Sequence, residues 1–336
     1  VPFVYASLAA GDSHRFAGFL INSVDGLSYL AKMYQGGEGS WRYQMAFTSQ
    51  PGEGVFIHLF YLTLGHIARA TNLPPLGVYH ATRVILAVIL LGMLWKLYGT
   101  MLPSVRHQRL AFSLAALGSG LGWLGIPFGL FTSDMWVAET YPFLTSYTNP
   151  HFVFSLILII WLILPTSEEF GVRRALKVML VAFVLSLASP FGVIMALVIL
   201  SGQVLARALV LRTWPKPECF KDRALNIAAI LAGGAPFLLY YYWITKSHAV
   251  IIAWNAQNLT RSPEWWDLLL SLSPALLLAG LGAWWLRKKH GSGWVDQQIS
   301  SLLVWAGLGL VLIYMPFGLQ RRFMLGLYIP LAGLSA

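Results

Sequence analysis

The sequence predicts an all-α polytopic membrane protein, and three observations carry that prediction. Only 11% of the 336 residues are charged, while 57% are hydrophobic. A soluble domain carries about 25% charged residues. Apolar runs recur along the chain, many near the roughly 20 residues needed to cross a hydrocarbon core. The basic residues between the runs alternate in density, as the positive-inside bias requires. Disorder is excluded because too much of the chain is apolar. A net charge of +10 would suggest nucleic acid in a soluble protein. Here the charges follow the spans, so no nucleic-acid partner is assigned.

The elements follow in order. Val1–Ala10 is a partial span running outward, without the basic lead-in of a signal peptide. Residues 11–77 form a long first extracytoplasmic loop with interfacial helices. Within it, Gly54–Arg69 is apolar enough for a short span, but counting it would turn every basic loop outward. It carries His58, His66 and Arg69, which suits a helix lying at the interface or dipping into it. Spans are then predicted at Val78–Tyr98, Leu110–Leu130 and Phe152–Leu164. Val178–Leu211 is too long for one span. Ser189-Pro190-Phe191-Gly192 divides the region into Lys177–Ala188 and Pro190–Leu209, because proline lacks a donor and disfavours helix before it. Ile227–Trp243, Leu268–Leu286 and Ile299–Met315 follow, and Phe323–Ala336 is a second partial span. The total is about ten, in one domain covering 1–336. Both ends read as cuts in a longer chain. The single cysteine, Cys219, allows no intrachain disulfide.

Fourteen of the 23 Lys and Arg residues fall in the inner loops. They are Lys96, Arg106 and Arg109; Arg173, Arg174 and Lys177; Arg207, Arg212, Lys216, Lys221 and Arg223; and Arg287, Lys288 and Lys289. The short outer loops, 131–150, 244–266 and 316–322, hold only Lys246, Arg261, Arg321 and Arg322. Aromatic clusters such as Tyr240–Trp243 and Trp265-Trp266 mark span ends. Gly118-x-Gly120-x-Gly122 has no preceding strand and reads as helix packing rather than a nucleotide loop. Asn258-Leu259-Thr260 matches a glycosylation sequon of low specificity.

Charge beside a membrane is costly, so its placement is informative. Eight of the thirteen acids lie in or beside the outer loops: Asp12, Asp25, Glu38, Glu53, Asp134, Glu139, Glu264 and Asp267. Asp25 has two readings. It can cap a helix start, or it can be a general base at the membrane surface. Asp134 and Glu139 share the second outer loop and can approach Asp25 across the outer face. Paired carboxylates orient an acceptor, tune a pKa or hold a divalent metal. Asp134 reads first as a solvated loop charge, whereas Glu139, just before Tyr141-Pro142-Phe143, is the stronger site candidate. His151, in Asn149-Pro150-His151-Phe152, is either an interface residue or a contact to phosphate or sugar. Arg321 and Arg322 defy the positive-inside bias. They can snorkel to lipid or grip a phosphate with their guanidinium forks. Lys246 and His248 are weaker candidates of the same kind.

These stretches resemble the GT-C membrane glycosyltransferases. More closely, the chain is similar to bacterial relatives of the polyprenyl-phosphate-sugar-dependent mannosyltransferases and arabinosyltransferases. The matching segments are Asp25-Gly26-Leu27-Ser28-Tyr29-Leu30-Ala31-Lys32-Met33 with Gly39-Ser40-Trp41, Tyr79-His80-Ala81-Thr82-Arg83, Asn149-Pro150-His151-Phe152 and Gln320-Arg321-Arg322-Phe323. The resemblance implies a GT-C-like fold and an inverting hexosyl or pentosyl transfer at the extracytoplasmic face of a bacterial inner membrane. It implies Asp25 as catalytic base, with Glu139 loosely matching a second acid. Arg321, Arg322, His151, Asp134 and Lys246 are then the candidates for substrate binding. The partners implied are a polyprenyl-phosphate sugar donor, membrane lipid, and a glycan, lipid or protein acceptor. Many members carry an Asp-Glu or Asp-x-Asp pair in this loop. Here Gly26 follows Asp25 and Leu27 takes the third position, so a divalent metal stays open as the one cofactor. The alternatives are a transporter or flippase of a lipid-linked substrate, which predicts inverted repeats, and a non-catalytic membrane subunit.

Overall fold

The computed structural model describes residues 2–11, 14, 16–166, 169–210, 217–290, 299–316 and 318–336. Asp12 of the first loop, and Arg212 and Lys216 of an inner loop, lie outside the described residues. Among those described, the chain is all-helical, with one isolated antiparallel bridge between Tyr43 and Val55. The α-helices are α1 (Pro2–Ala9), α2 (Ser23–Gly37), α3 (Leu59–Thr71), α4 (Pro75–Met101), α5 (Val105–Leu117), α6 (Pro142–Thr148), α7 (Pro150–Ile163) and α8 (Val172–Ala188). They continue with α9 (Pro190–Val210), α10 (Pro217–Ser247), α11 (Ala249–Gln257), α12 (Trp265–Leu272), α13 (Ala275–His290), α14 (Ile299–Leu312) and α15 (Tyr328–Ser335).

Three segments are long and apolar enough to cross a membrane: Pro75–Met101, Val105–Phe128 and Phe220–Ser247. A fourth is added if α12 and α13, bent by 79° at their junction, count as one broken span. These helices mark a membrane protein. Three further apolar helices, Pro150–Ile163, Pro190–Ala206 and Ser301–Leu312, have 10–17 residues. At about 1.5 Å per residue Pro150–Ile163 and Ser301–Leu312 fall short of a full crossing, whereas α9 in full has 21 residues. Among the described residues, helix length and hydropathy thus mark three or four crossings where the sequence predicts about ten. Composition measures how apolar a run is but not where its backbone breaks. Several breaks stand at proline: α6 ends at Asn149 before Pro150, and α8 ends at Ser189 before Pro190.

Two predicted elements take a different form. The run Leu110–Leu130 is not one regular helix. It leaves α-helix at Gly118 and resumes as a 3-10 turn over Gly122–Phe128. A Cβ on Gly120 would lie 1.9 Å from the Ser271 carbonyl oxygen, and one on Gly122 would lie 1.7 Å from Thr132 Oγ1. The glycine triplet therefore serves close packing, but at a helix break rather than along a helix face. The second is Phe323–Ala336. It opens on a 3-10 turn over Gln320–Met324 and continues as the short α15, which is buried from Tyr328 to Leu334. Tyr98 donates to the Ile329 carbonyl at 2.8 Å, and Ser335 donates to the Ala275 carbonyl at 2.9 Å. This segment is enclosed by other helices, which explains its apolarity without lipid contact.

The first loop carries α2 and α3 packed on each other. Gly36 faces the Leu62 carbonyl, 2.2 Å from where a Cβ would sit, and Gly65 faces the Met33 carbonyl at 2.0 Å. Only glycine permits this approach of two helix backbones. At 13 residues, α3 is too short to cross, in keeping with its reading as an interfacial helix. The α2–α3 pair buries Met33, Tyr61, Leu64 and Ala68 in a small core of its own beside Tyr79 of α4. The main core lies around α7, where Val153, Leu156, Ile159 and Ile160 are fully buried.

Candidate functional site

Segments from all four loops assigned to one face by the charge map converge on a single cavity of about 690 Å³. Its wall takes Asp25, Lys32 and His58 from the first loop, and Glu139 and Asn149 from the second. It takes Trp254, Asn258 and Thr260 from the third, and Arg321 and Arg322 from the fourth. The volume falls within the usual range for a small-molecule site, roughly 300–1,000 Å³.

Asp25 is not the helix cap. Asn22 precedes α2 in a left-handed conformation (φ 52°), and Asp25 sits two residues into the first turn. A carboxylate in that turn is favoured by the helix dipole. The following residue is glycine for a local reason: a Cβ on Gly26 would lie 2.4 Å from the Phe19 ring. The Asp25 side chain is exposed to the cavity and, among the described residues, accepts no hydrogen bond. Desolvation by the surrounding walls raises its pKa above the usual carboxylate value. Lys32 and Arg322 oppose that rise, and Glu139 adds to it.

Glu139 is buried at 4% exposure. Its Oε1 lies 3.4 Å from Arg321 Nε and 3.3 Å from the Arg322 guanidinium. Only the Arg322 contact has hydrogen-bond geometry; Arg321 Nε lies within ion-pair range but is misaligned. The Arg321 guanidinium also lies over Trp136, and that of Arg322 over Phe152. Backbone bonds fix the pair: Arg321 N–H donates to Thr260 O at 3.1 Å, and Thr260 N–H donates to Gly318 O at 2.9 Å. Gly326 N–H donates to the Glu139 carbonyl at 2.8 Å. One carboxylate thus holds two guanidinium groups that both line the cavity.

His151 opens α7 and lines the same cavity. Its Nδ1 lies 2.6 Å from the Tyr61 hydroxyl. Tyr61 stacks on Tyr29 with ring centroids 4.3 Å apart, forming an aromatic floor one turn from Asp25. Burial pushes the hydroxyls of Tyr29 and Tyr61 well above the usual tyrosine pKa. They are therefore neutral hydrogen-bonding groups.

Two sequence-derived candidates stand apart. Asp134 is a buried anchor rather than a solvated loop charge, with 5% exposure. It accepts from Gly122 N–H at 3.0 Å and Thr132 Oγ1 at 2.7 Å, and its backbone N–H donates to Ser271 Oγ at 3.3 Å. Ser133 and Ser271 both donate to Asp267. This knot ties the broken span at Gly122 to α12 and to the segment leading to Glu139. Asp134 does not line the cavity. Lys246, in the last turn of α10, is exposed and also lies away from the cavity wall. His248 caps α11 and bonds to the Glu53 carbonyl at 2.9 Å.

The residues do not fit a divalent metal. Among the described residues, no group of three or more His, Cys, Asp or Glu side chains is placed to hold one. Glu139 is already engaged by two arginines.

Lys32 escaped notice in the sequence. It lies seven residues after Asp25, on the same helix face, and that spacing was the available signal. It is 5% exposed and lines the cavity. His58 precedes α3 in a left-handed conformation (φ 55°) without capping it by a side-chain bond. Its position makes sense only once α2 and α3 are packed.

Compared with protein-family models, curated proteins and solved structures, the chain has no match.

Proposed function

We propose that this protein is a multi-pass membrane glycosyltransferase of the GT-C kind, acting on the extracytoplasmic face of a bacterial inner membrane. The donor is a polyprenyl-phosphate sugar, and the acceptor is a hydroxyl on a glycan, lipid or protein. One observation carries the reading. Asp25, a carboxylate without a hydrogen-bond partner among the described residues, and an arginine pair held by Glu139 line one cavity assembled from four loops.

The chemistry follows from these groups. An acceptor hydroxyl attacks the anomeric carbon while Asp25 takes its proton. The bond from that carbon to the phosphate oxygen breaks, and its electron pair stays on the phosphate. Charge developing there calls for fixed positive groups. Arg321 and Arg322 supply them with preset orientation, since Glu139, Trp136 and Phe152 restrain both guanidinium groups. A raised pKa brings Asp25 closer to neutral pH, which suits a base that must also release its proton. The α2–α3 pair covers the site and limits hydrolysis of the donor.

The reconstituted protein, given a labelled polyprenyl-phosphate sugar and a membrane glycolipid extract, should transfer the label. Replacing both arginines (Arg321→Ala with Arg322→Ala) should cut transfer by about 10²–10³-fold. Undiminished transfer in the double variant would remove the arginines from the mechanism.

A further inference from the structure

The cavity holds a second cationic centre that the transfer step above does not use. Lys32 Nζ, an ammonium with three donors, makes one hydrogen bond, to Ser28 Oγ at 2.7 Å. The rings of Tyr29 and Tyr43 lie 5.0 and 5.6 Å away. Among the described residues no carboxylate lies within ion-pair distance of Lys32. A buried ammonium without an anion is costly, and aromatic faces offset only part of that cost.

Three groups surround Lys32, and one of them, the N-terminus of α3, adds to the positive character. His58 faces Lys32 from the start of α3, and its pKa is held well below the usual value by burial and then by Lys32. It is therefore a neutral ring that competes for no anion. The N-terminus of α3 has no side-chain cap and opens beside Lys32, with His58 and Phe60 on the cavity wall. Its free backbone donors favour an anion. His151, the third facing group, is engaged by Tyr61. Asp25 is the nearest acid, about two helical turns along α2.

We propose that Lys32, with Ser28 and the start of α3, forms an oxyanion subsite separate from the arginine pair, which takes an anionic group carried by the acceptor. The group is a phosphate or a carboxylate. The proposal rests on reading the cavity as a two-substrate transferase site. Asp25 lines the same cavity as both cationic centres and interacts electrostatically with each.

Competitive acetylation tests this on the intact detergent-solubilised protein, without any Lys32 variant. Acetic anhydride modifies uncharged amines, and a pKa of about 8 makes Lys32 reactive near that pH. Modification of Lys32 is read by peptide mass spectrometry, with exposed Lys246 as internal reference. Inorganic phosphate at pH 8 should slow Lys32 acetylation several-fold relative to chloride at equal ionic strength. Acetate in a parallel arm separates carboxylate from phosphate preference. The protection should persist when Arg321→Met and Arg322→Met are combined. Absence of protection by either anion overturns the subsite. Protection that vanishes with the arginines also overturns it, because a single anion would then span both centres, and the transferase reading would still stand. Anion protection is read without any transfer assay, so a failure of the transferase reading registers separately.

Discussion

Asp134 and Glu139 lie five residues apart in the same loop, and both are buried. Asp134 accepts from a backbone N–H and the Thr132 hydroxyl, while Glu139 faces two guanidinium groups at the edge of a cavity. Residue type and burial are the same, so neither separates an anchor from a site residue. What separates them is the unused capacity of their partners. The donors around Asp134 are consumed in holding Gly122 and α12 together. The arginines around Glu139 make one side-chain hydrogen bond between them among the described residues, and both line the cavity. A buried acid whose partners are satisfied stabilises the fold, and one whose partners still have donors to offer prepares a binding surface.

The comparison is sharpened by removing each acid in turn. Asp134→Ala leaves the Gly122 N–H and the Thr132 hydroxyl without an acceptor, and should lower thermal stability by about 2–4 kcal/mol in detergent. Normal stability in that variant would break the distinction at its structural end. Glu139→Gln keeps the volume and one acceptor, so a smaller stability loss is expected. The freed arginines should cost about 10²-fold in transfer, since small misplacements of charged groups carry costs of that size. Equal effects of the two changes on stability and transfer would erase the contrast.

A smaller effect concerns Lys32, whose buried ammonium has no carboxylate within ion-pair distance among the described residues. Its pKa is lowered from 10.5 to about 8, with burial the main cause. Lys32→Met should therefore stabilise the ligand-free protein near pH 7 by about 1–3 kcal/mol. The sign follows from proton counting. Between about pH 8 and 10.5 the unfolded chain binds the proton that the folded chain releases, so wild-type stability rises with pH. The advantage of Lys32→Met should shrink over that window and vanish above it, as measured by melting temperature against pH. A constant advantage would mean that packing, not charge, is responsible.

Much of the site was legible in the sequence because charge in a membrane chain is rare. Asp25, Glu139, His151 and the Arg321–Arg322 pair stand out against the apolar background, and all line one cavity. Asp134 was misread because its partners, Gly122 and Ser271, lie 12 and 137 residues away. Lys32 was hidden among other basic residues of the first loop, and only the pairing of α2 with α3 shows it buried. In the fold, the all-helical class and the breaks at Pro150 and Pro190 follow from composition and proline chemistry. The break at Gly118–Gly122 and the enclosure of α15 depend on which backbone approaches which. Hydropathy carries no trace of that.

The central claim is that Asp25 is the base, and Asp25→Asn tests it most directly. The carboxylate accepts no hydrogen bond among the described residues, so its neutral isostere should leave folding intact. In purified Asp25→Asn with an unchanged melting temperature, donor binding should persist while transfer falls by about 10²–10⁴-fold. Transfer at the wild-type rate in that variant would contradict the account.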